Sequence, residues 1–326
     1  MKKELQNLLG SIPVDRGNEF KRKQRIHQGW WRAFVLAEEP GLHPTRNAER
    51  VCSTILGGKS TGKNFLSKAT CEAVQETLQN RTGKSPGIIR EDRLCTNLLS
   101  SQPMCFNLFG NLSKDRILAI GILRNYLPEI EQVGKVMFEY APEERYTGDN
   151  SAFDVAIEVV TKDGNGLLGL ECKYTDEFSY KDQKTGIVYG ALGDPSRATY
   201  EQVFKRSDCY LQSFDAYVRD KRVNQLFRNQ LIAESLIQNE KKYAFVRTGL
   251  VYHQDDSKAL ECGTHFQNML RDGEKRFKII TIQDFIGMAQ KLELDWDTRV
   301  WTMLVWARYS GNELSDKVAE LIQGNG

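Results

Sequence analysis

A chain of 326 residues, 40% hydrophobic and 27% charged, is ordinary for a globular protein and long enough for one large domain or two modest ones. A net charge of +2 neither demands nor excludes a nucleic-acid partner, because a local basic patch suffices. No stretch approaches the ~18 consecutive apolar residues of a membrane helix. The N-terminus starts basic without an apolar segment behind it, so no signal peptide is expected and a cytoplasmic location is. The seven cysteines are scattered, several in apolar runs such as Cys95, Cys105 and Cys209, which suits reduced thiols better than a disulfide framework.

Taken in order, residues 1–50 read as helix and loop. Within 20–39, basic residues alternate with Trp30, Trp31 and Phe34. That pattern serves either a nucleic-acid surface or an amphipathic helix that packs its aromatics on the core, and the second is the commoner use. Gly57 to Asn64 nearly spells a phosphate loop, following a strand-like run at 51–56. However, Asn64 stands where a Ser or Thr hydroxyl would bind Mg²⁺, and no apolar strand ending in Asp follows at a suitable distance. A flexible loop or a DNA-backbone contact fits it better. A helix is expected over 63–81, then a breaker-rich linker over 81–87. This linker is the expected boundary between a helical N-terminal extension (1–85) and the core (86–290), with a C-terminal helical segment (291–326) packed on it. Helices are expected at 88–100 and 115–126 and a strand at 132–140. A long loop at 175–198 carries Lys181, Lys184 and Arg197; loops of that length are usually functional or mobile, and a substrate-contacting loop and a disordered insert both fit. Helices follow at 200–220 and 224–238; Arg228 and Gln230 of the second are explained either as phosphate contacts or as part of an amphipathic packing helix. Strands are expected at 243–252 and 277–282, then helices at 284–292 and 296–322. Cys262 and His265 form a C-x-x-H pair with no second pair, which argues against zinc.

Between these elements lies the stretch 151–174, SAFDVAIEVVTKDGNGLLGLECKY. It reads as two strands joined by a turn at Asp163–Gly166, where Gly and Asn tolerate positive φ. Asp154, Glu171 and Lys173 sit inside otherwise apolar runs. Glu171 and Lys173 share a face, because side chains alternate along a strand. A turn centred between Asp163 and Gly164 sets Asp154 opposite Lys173 and diagonal to Glu171; a centre one residue later sets it opposite Thr175. Two converging carboxylates call for a cation, and oxygen ligands suit a hard one such as Mg²⁺. A neighbouring lysine steers water or stabilises charge on a phosphate.

Asp, sixteen intervening residues, then Glu-x-Lys in a hairpin resembles the PD-(D/E)xK nuclease superfamily, with Phe153 where the motif has Pro. A second tripeptide of this kind, Glu19-Phe20-Lys21, lies in a charge-rich stretch and reads as surface. The resemblance implies an α/β protein with a restriction-endonuclease-like mixed β-sheet core flanked by helices. It implies Asp154, Glu171 and the Cys172 carbonyl as ligands of Mg²⁺ or Mn²⁺, and Lys173 as the catalytic lysine. It adds Glu91, with Asp92 as its rival, from the helix before the sheet, and Gln202 from the helix after it. DNA is the implied substrate and a homodimer the implied assembly. The run Ser101-Gln-x-x-Cys-Phe-Asn107 is similar to a little-characterised bacterial restriction-endonuclease-like group, which implies a restriction or phage-defence role. The rival reading is a non-catalytic nucleic-acid- or protein-binding module that keeps the fold.

Overall fold

A computed structural model describes residues 2–43, 49–83, 85 and 87–323. Lys84 and Pro86 of the expected linker lie outside them. Two short strands, β1 (Pro40–Leu42) and β2 (Arg50–Ile55), pair antiparallel near the N-terminus. The central sheet comprises β3 (Gln132–Tyr140), β4 (Phe153–Thr161), β5 (Gly164–Lys173), β6 (Phe245–Tyr252) and β7 (Phe277–Thr281), in the spatial order of the chain. β3, β4 and β5 run antiparallel to one another; β6 and β7 join parallel to β5. The fold is therefore the expected mixed sheet flanked by helices.

Alternation along the inner strands sends neighbouring residues to different cores, as a sheet covered on both faces requires. Leu168, Leu170 and Cys172 of β5, and Tyr174 just beyond it, enter the largest core. There they meet the helices Ser101–Phe109, Arg116–Leu123, Ile282–Gln290 and Trp296–Tyr309. Leu167 faces the other way, with Ile232, Ala233 and Leu236 of the helix Asn224–Asn239. Leu250 and Tyr252 of β6 pack on that side too, with Tyr217, Phe227 and Phe266, whereas Val251 turns to the first core. Glu171 and Lys173 alternate with Cys172 and so fall on the face covered by Asn224–Asn239.

The expected extension does not stand apart. Trp31 and Ile55 share the largest core with Trp301, Val305 and the sheet. The helix Glu19–Trp30 is tied to the C-terminal stretch by His27 and Gln28, whose rings and amides reach Ala307, Arg308 and Ser315. Arg32, fully buried, donates to the carbonyls of Leu8, Leu9, Glu38 and Cys52. Trp31 and Arg32 thus serve packing, as the amphipathic reading anticipates, whereas Phe34 of the same stretch is half exposed. Expected helices also come out shorter. Residues 88–100 contain only Glu91–Thr96, and residues 200–220 divide into Arg197–Lys205 and Phe214–Arg219. The helix Ser257–Asn268, capped by Asp256, was not anticipated. No helix among the described residues is long and apolar enough to cross a membrane.

Candidate active site

The hairpin turn centres one residue earlier than the first of the two expected registers and two residues earlier than the second. Thr161 pairs with Gly164, leaving Lys162 and Asp163 as the two turn residues. Gly164 takes φ +115°, a left-handed value that favours glycine, so it closes the turn instead of sitting in its middle. The same count sets Asp154 across from Glu171, with Lys173 on the diagonal. The regular ladder stops at Val155–Leu170. Just past it, the Cys172 amide donates to Asp154 Oδ2 at 2.7 Å. This backbone bond fixes the aspartate beside β5.

Lys173 Nζ lies 2.9 Å from Glu171 Oε1, and both residues are nearly inaccessible, at 5% and 3% exposure. The helix Asn224–Asn239 supplies two more donors to the same carboxylate. Gln225 Nε2 reaches Oε1 at 2.5 Å and Asn229 Nδ2 reaches Oε2 at 2.8 Å. Gln225 and Asn229 are four residues apart and so share one helix face. The Phe178 ring covers the other side of Lys173, 5.0 Å from Nζ.

A third carboxylate faces the hairpin from β3. Glu139 lies between the pairs Phe138–Val155 and Tyr140–Phe153, hence across from Asp154. Its φ is +48°, costly for a residue with a β-carbon and held only where the surroundings over-determine it. Gln102 Nε2 donates to its Oε1 at 2.7 Å. Its Oε2 lies 2.1 Å from where a Cβ on Gly87 would be, and Gly87 takes φ +66°, so a larger residue there would displace the Glu139 carboxylate and strain the backbone.

The electrostatics follow from this crowding. Burial, then the charges of Glu171 and Glu139, push the Asp154 carboxyl well above the usual carboxylate range, against the pull of Lys173 and the Cys172 amide. Burial also pushes Glu139 up to about 7, opposed by Gln102 and Arg81 and aided by Glu171. Burial alone would lower the lysine, but the carboxylates of Glu171 and Asp154 more than offset it and hold its pKa high. The lysine therefore holds its proton, while Asp154 and Glu139 ionise less readily than ordinary carboxyls beside Glu171, a reluctance that a bound cation would relieve.

Two sequence candidates are not brought to this cluster. Glu91 opens its helix, where a carboxylate favours the positive end. It extends outward to Lys59 at 2.9 Å. Gln202 is exposed, because its helix buries Tyr200 and Val203 instead. Gln230 is consumed inside the fold, donating to Glu234 and accepting from Thr248. Asn64 is no phosphate ligand. It is fully buried and binds Leu94 and Arg308, while Lys63 pairs with Glu38 at 2.6 Å. Sequence reading missed Glu139, Gln225 and Asn229. A charged residue in the strand-like run 132–140 was a visible signal for the first. Nothing in an amphipathic helix marks the other two.

Among the described residues, no three His, Cys, Asp or Glu side chains group as a metal site. The donor set at hand is oxygen from Asp154 and Glu171, in surroundings too acidic for the single lysine. That chemistry fits a hard divalent cation, which readily completes its shell with carbonyl and water oxygens. A family model described as the PD-(D/E)XK nuclease superfamily matches residues 15–311. No curated protein and no solved structure matches the chain.

Proposed function

Because this chain belongs to the PD-(D/E)XK nuclease superfamily, we propose that it is an endonuclease that hydrolyses DNA phosphodiester bonds with the help of Mg²⁺ or Mn²⁺. The observation that carries the reading is the buried Lys173–Glu171 pair beside the raised Asp154 carboxyl. Perturbed, mutually coupled ionisable groups of this kind concentrate at catalytic sites. Asp154, Glu171 and the Cys172 carbonyl would hold the cation, which when bound polarises the phosphate and lowers the pKa of a water. Lys173 keeps its proton and places a fixed positive charge where the attacking water or the charge-rich phosphate stands. Glu139 adds a further acceptor on the side of Asp154, its orientation set by Gln102. Gln225 and Asn229 hold Glu171 in a single rotamer, which limits the reorganisation needed on binding. A restriction or phage-defence role and a homodimer that cuts both strands rest on analogy with the superfamily alone.

Supercoiled plasmid incubated with Mg²⁺ or Mn²⁺ tests the reading. Nicked and linear products are expected, abolished by EDTA and by Lys173→Ala. An intact plasmid under every ion condition, with the protein folded, overturns it. Retarded plasmid without cuts would instead support the binding module.

A further inference from the structure

The long segment between β5 and the helix Arg197–Lys205 lies across the site. Thr175 Oγ1 donates to the Leu99 carbonyl, and Asp176 is held by Arg93 and the Ser101 amide. Phe178 then covers Lys173. The Ser179 amide donates to Gln225 Oε1 at 2.6 Å, while the other end of that amide grips Glu171. Further on, Asn224 Nδ2 donates to the Tyr189 carbonyl. With Lys173 and Glu171 closed off to this degree, no backbone phosphate reaches them until residues 176–180 move.

Arg228 is the second observation. It is 7% exposed, and no carboxylate among the described residues lies within ion-pair distance of it. It donates to Ser151 Oγ at 2.9 Å and to the hydroxyl and carbonyl of Ser179, and stacks over Tyr189 at 4.0 Å. Its Nε is buried with no partner. A guanidinium held under neutral hydroxyls with one donor unused is under-satisfied, and its planar fork matches a phosphate. It stands one helical turn from Gln225 and shares Ser179 with it, whose amide meets Gln225 and whose hydroxyl meets Arg228.

We infer that residues 176–180 form a lid that occupies the nucleic-acid backbone's place, and that lifting it transfers Arg228 from Ser179 to a substrate phosphate. Gln225 is then a positioning residue, joining the lid to Glu171. This inference rests on the nuclease reading above.

The test combines hydrogen exchange over 176–189 with anisotropy of a fluorescein-labelled DNA duplex, in Ca²⁺ in place of Mg²⁺. Phe178→Ala and Ser179→Ala, each checked for an unchanged melting temperature, should speed exchange and tighten DNA binding about 3- to 10-fold, the gain from a lid that costs less to lift. Arg228→Gln should also speed exchange, yet weaken binding about 10-fold or more and flatten the salt dependence by roughly one phosphate contact. This opposite sign separates a phosphate ligand from a structural pin, whose loss would only free the lid. If faster exchange in the Phe178 and Ser179 variants comes without tighter binding, the lid is overturned. If Arg228→Gln binds as well as wild type, the phosphate contact is overturned. No binding by any variant, wild type included, overturns the nuclease reading as well.

Discussion

Lys173, the last residue of β5, and Tyr174, which follows it, face two buried polar assemblies of opposite kind. On the tyrosine side, Tyr174 accepts from Gln28 and donates to Gln24. Arg308 is fully buried, and each of its nitrogens meets an oxygen of Gln28 or Asn64. Asn107 joins the same region, bonding Asn64, Leu66 and Tyr309. The knot contains no carboxylate, and its hydrogen-bonding capacity is spent almost wholly within it. On the lysine side, Glu171 accepts from Lys173, Gln225 and Asn229, but Asp154 and Glu139 press on each other and on it. A polar cluster that serves the fold closes on itself; one that serves chemistry keeps a charge imbalance that a ligand can relieve.

Removing charge from the two sides should therefore act on different observables. Lys173→Ala or Asp154→Asn should lower plasmid cleavage by about 10³-fold or more, roughly 4 kcal/mol of transition-state stabilisation. The aspartate variant should melt no lower than wild type, because the substitution relieves repulsion and keeps an acceptor for the Cys172 amide. A matching fall in melting temperature would make the site a structural element like the knot, and the contrast would break.

Acid should strike the knot's side. Burial lowers His27 to about 4, against the favourable contact of its ring with the Ala307 carbonyl, and lowers His253 to about 4 as well. A folded-state pKa below the unfolded value of about 6.5 means the unfolded chain binds the proton first. Stability from each neutral ring is thus complete above pH 6.5 and lost as pH falls from there towards 4. For His27 alone the loss is about 3 kcal/mol. Urea midpoints measured from pH 7.5 to 4.5 should fall through this window, and less steeply in His27→Gln. The same decline in wild type and variant would assign the acid sensitivity elsewhere.

Asn64→Ala should cost about 2–3 kcal/mol, because it strips a side-chain oxygen from a buried guanidinium and a donor from the Leu94 carbonyl. Cleavage measured well below the melting transition should stay within about twofold of wild type. Glu139→Gln is the mirror case. It should slow cleavage about 10- to 50-fold, near 2 kcal/mol, with little change in urea midpoint. Equal effects on stability from the two variants would erase the distinction between the assemblies.

The legible part of this molecule was the part written in local pattern. Alternation and the embedded Asp154, Glu171 and Lys173 located the hairpin, and the apolar runs at 243–252 and 277–282 located the two strands that follow it in the sheet. The register was less legible, since Lys-Asp and Asp-Gly both make acceptable turns and only the twisted ladder selects between them. The contacts that complete the site come from distant segments. Gln225 and Asn229 look like the solvated face of an amphipathic helix until that helix is seen to cross β5. Asn64 carries a misleading local signal: the glycines around it spell a phosphate loop, whereas its partner, Arg308, lies 244 residues away.

The smallest expected effect bears most directly on that limit. The resemblance to the superfamily implies Glu91 and Gln202 because a helix before the sheet and one after it commonly lend residues to such sites. The structure gives those helices other work. Glu91 extends to an exposed lysine, and Gln202 looks to solvent. Glu91→Gln and Gln202→Ala should each change stability by less than about 0.5 kcal/mol, as surface substitutions do, and cleavage by less than about twofold. A drop of 10-fold in either would mean that the helix swings inward when DNA binds. Glu139 would then be a bystander, and the strained backbone that holds it would need another explanation. Near-wild-type rates in both, beside the loss in Glu139→Gln, would place the additional acid of this site on a strand instead of a helix.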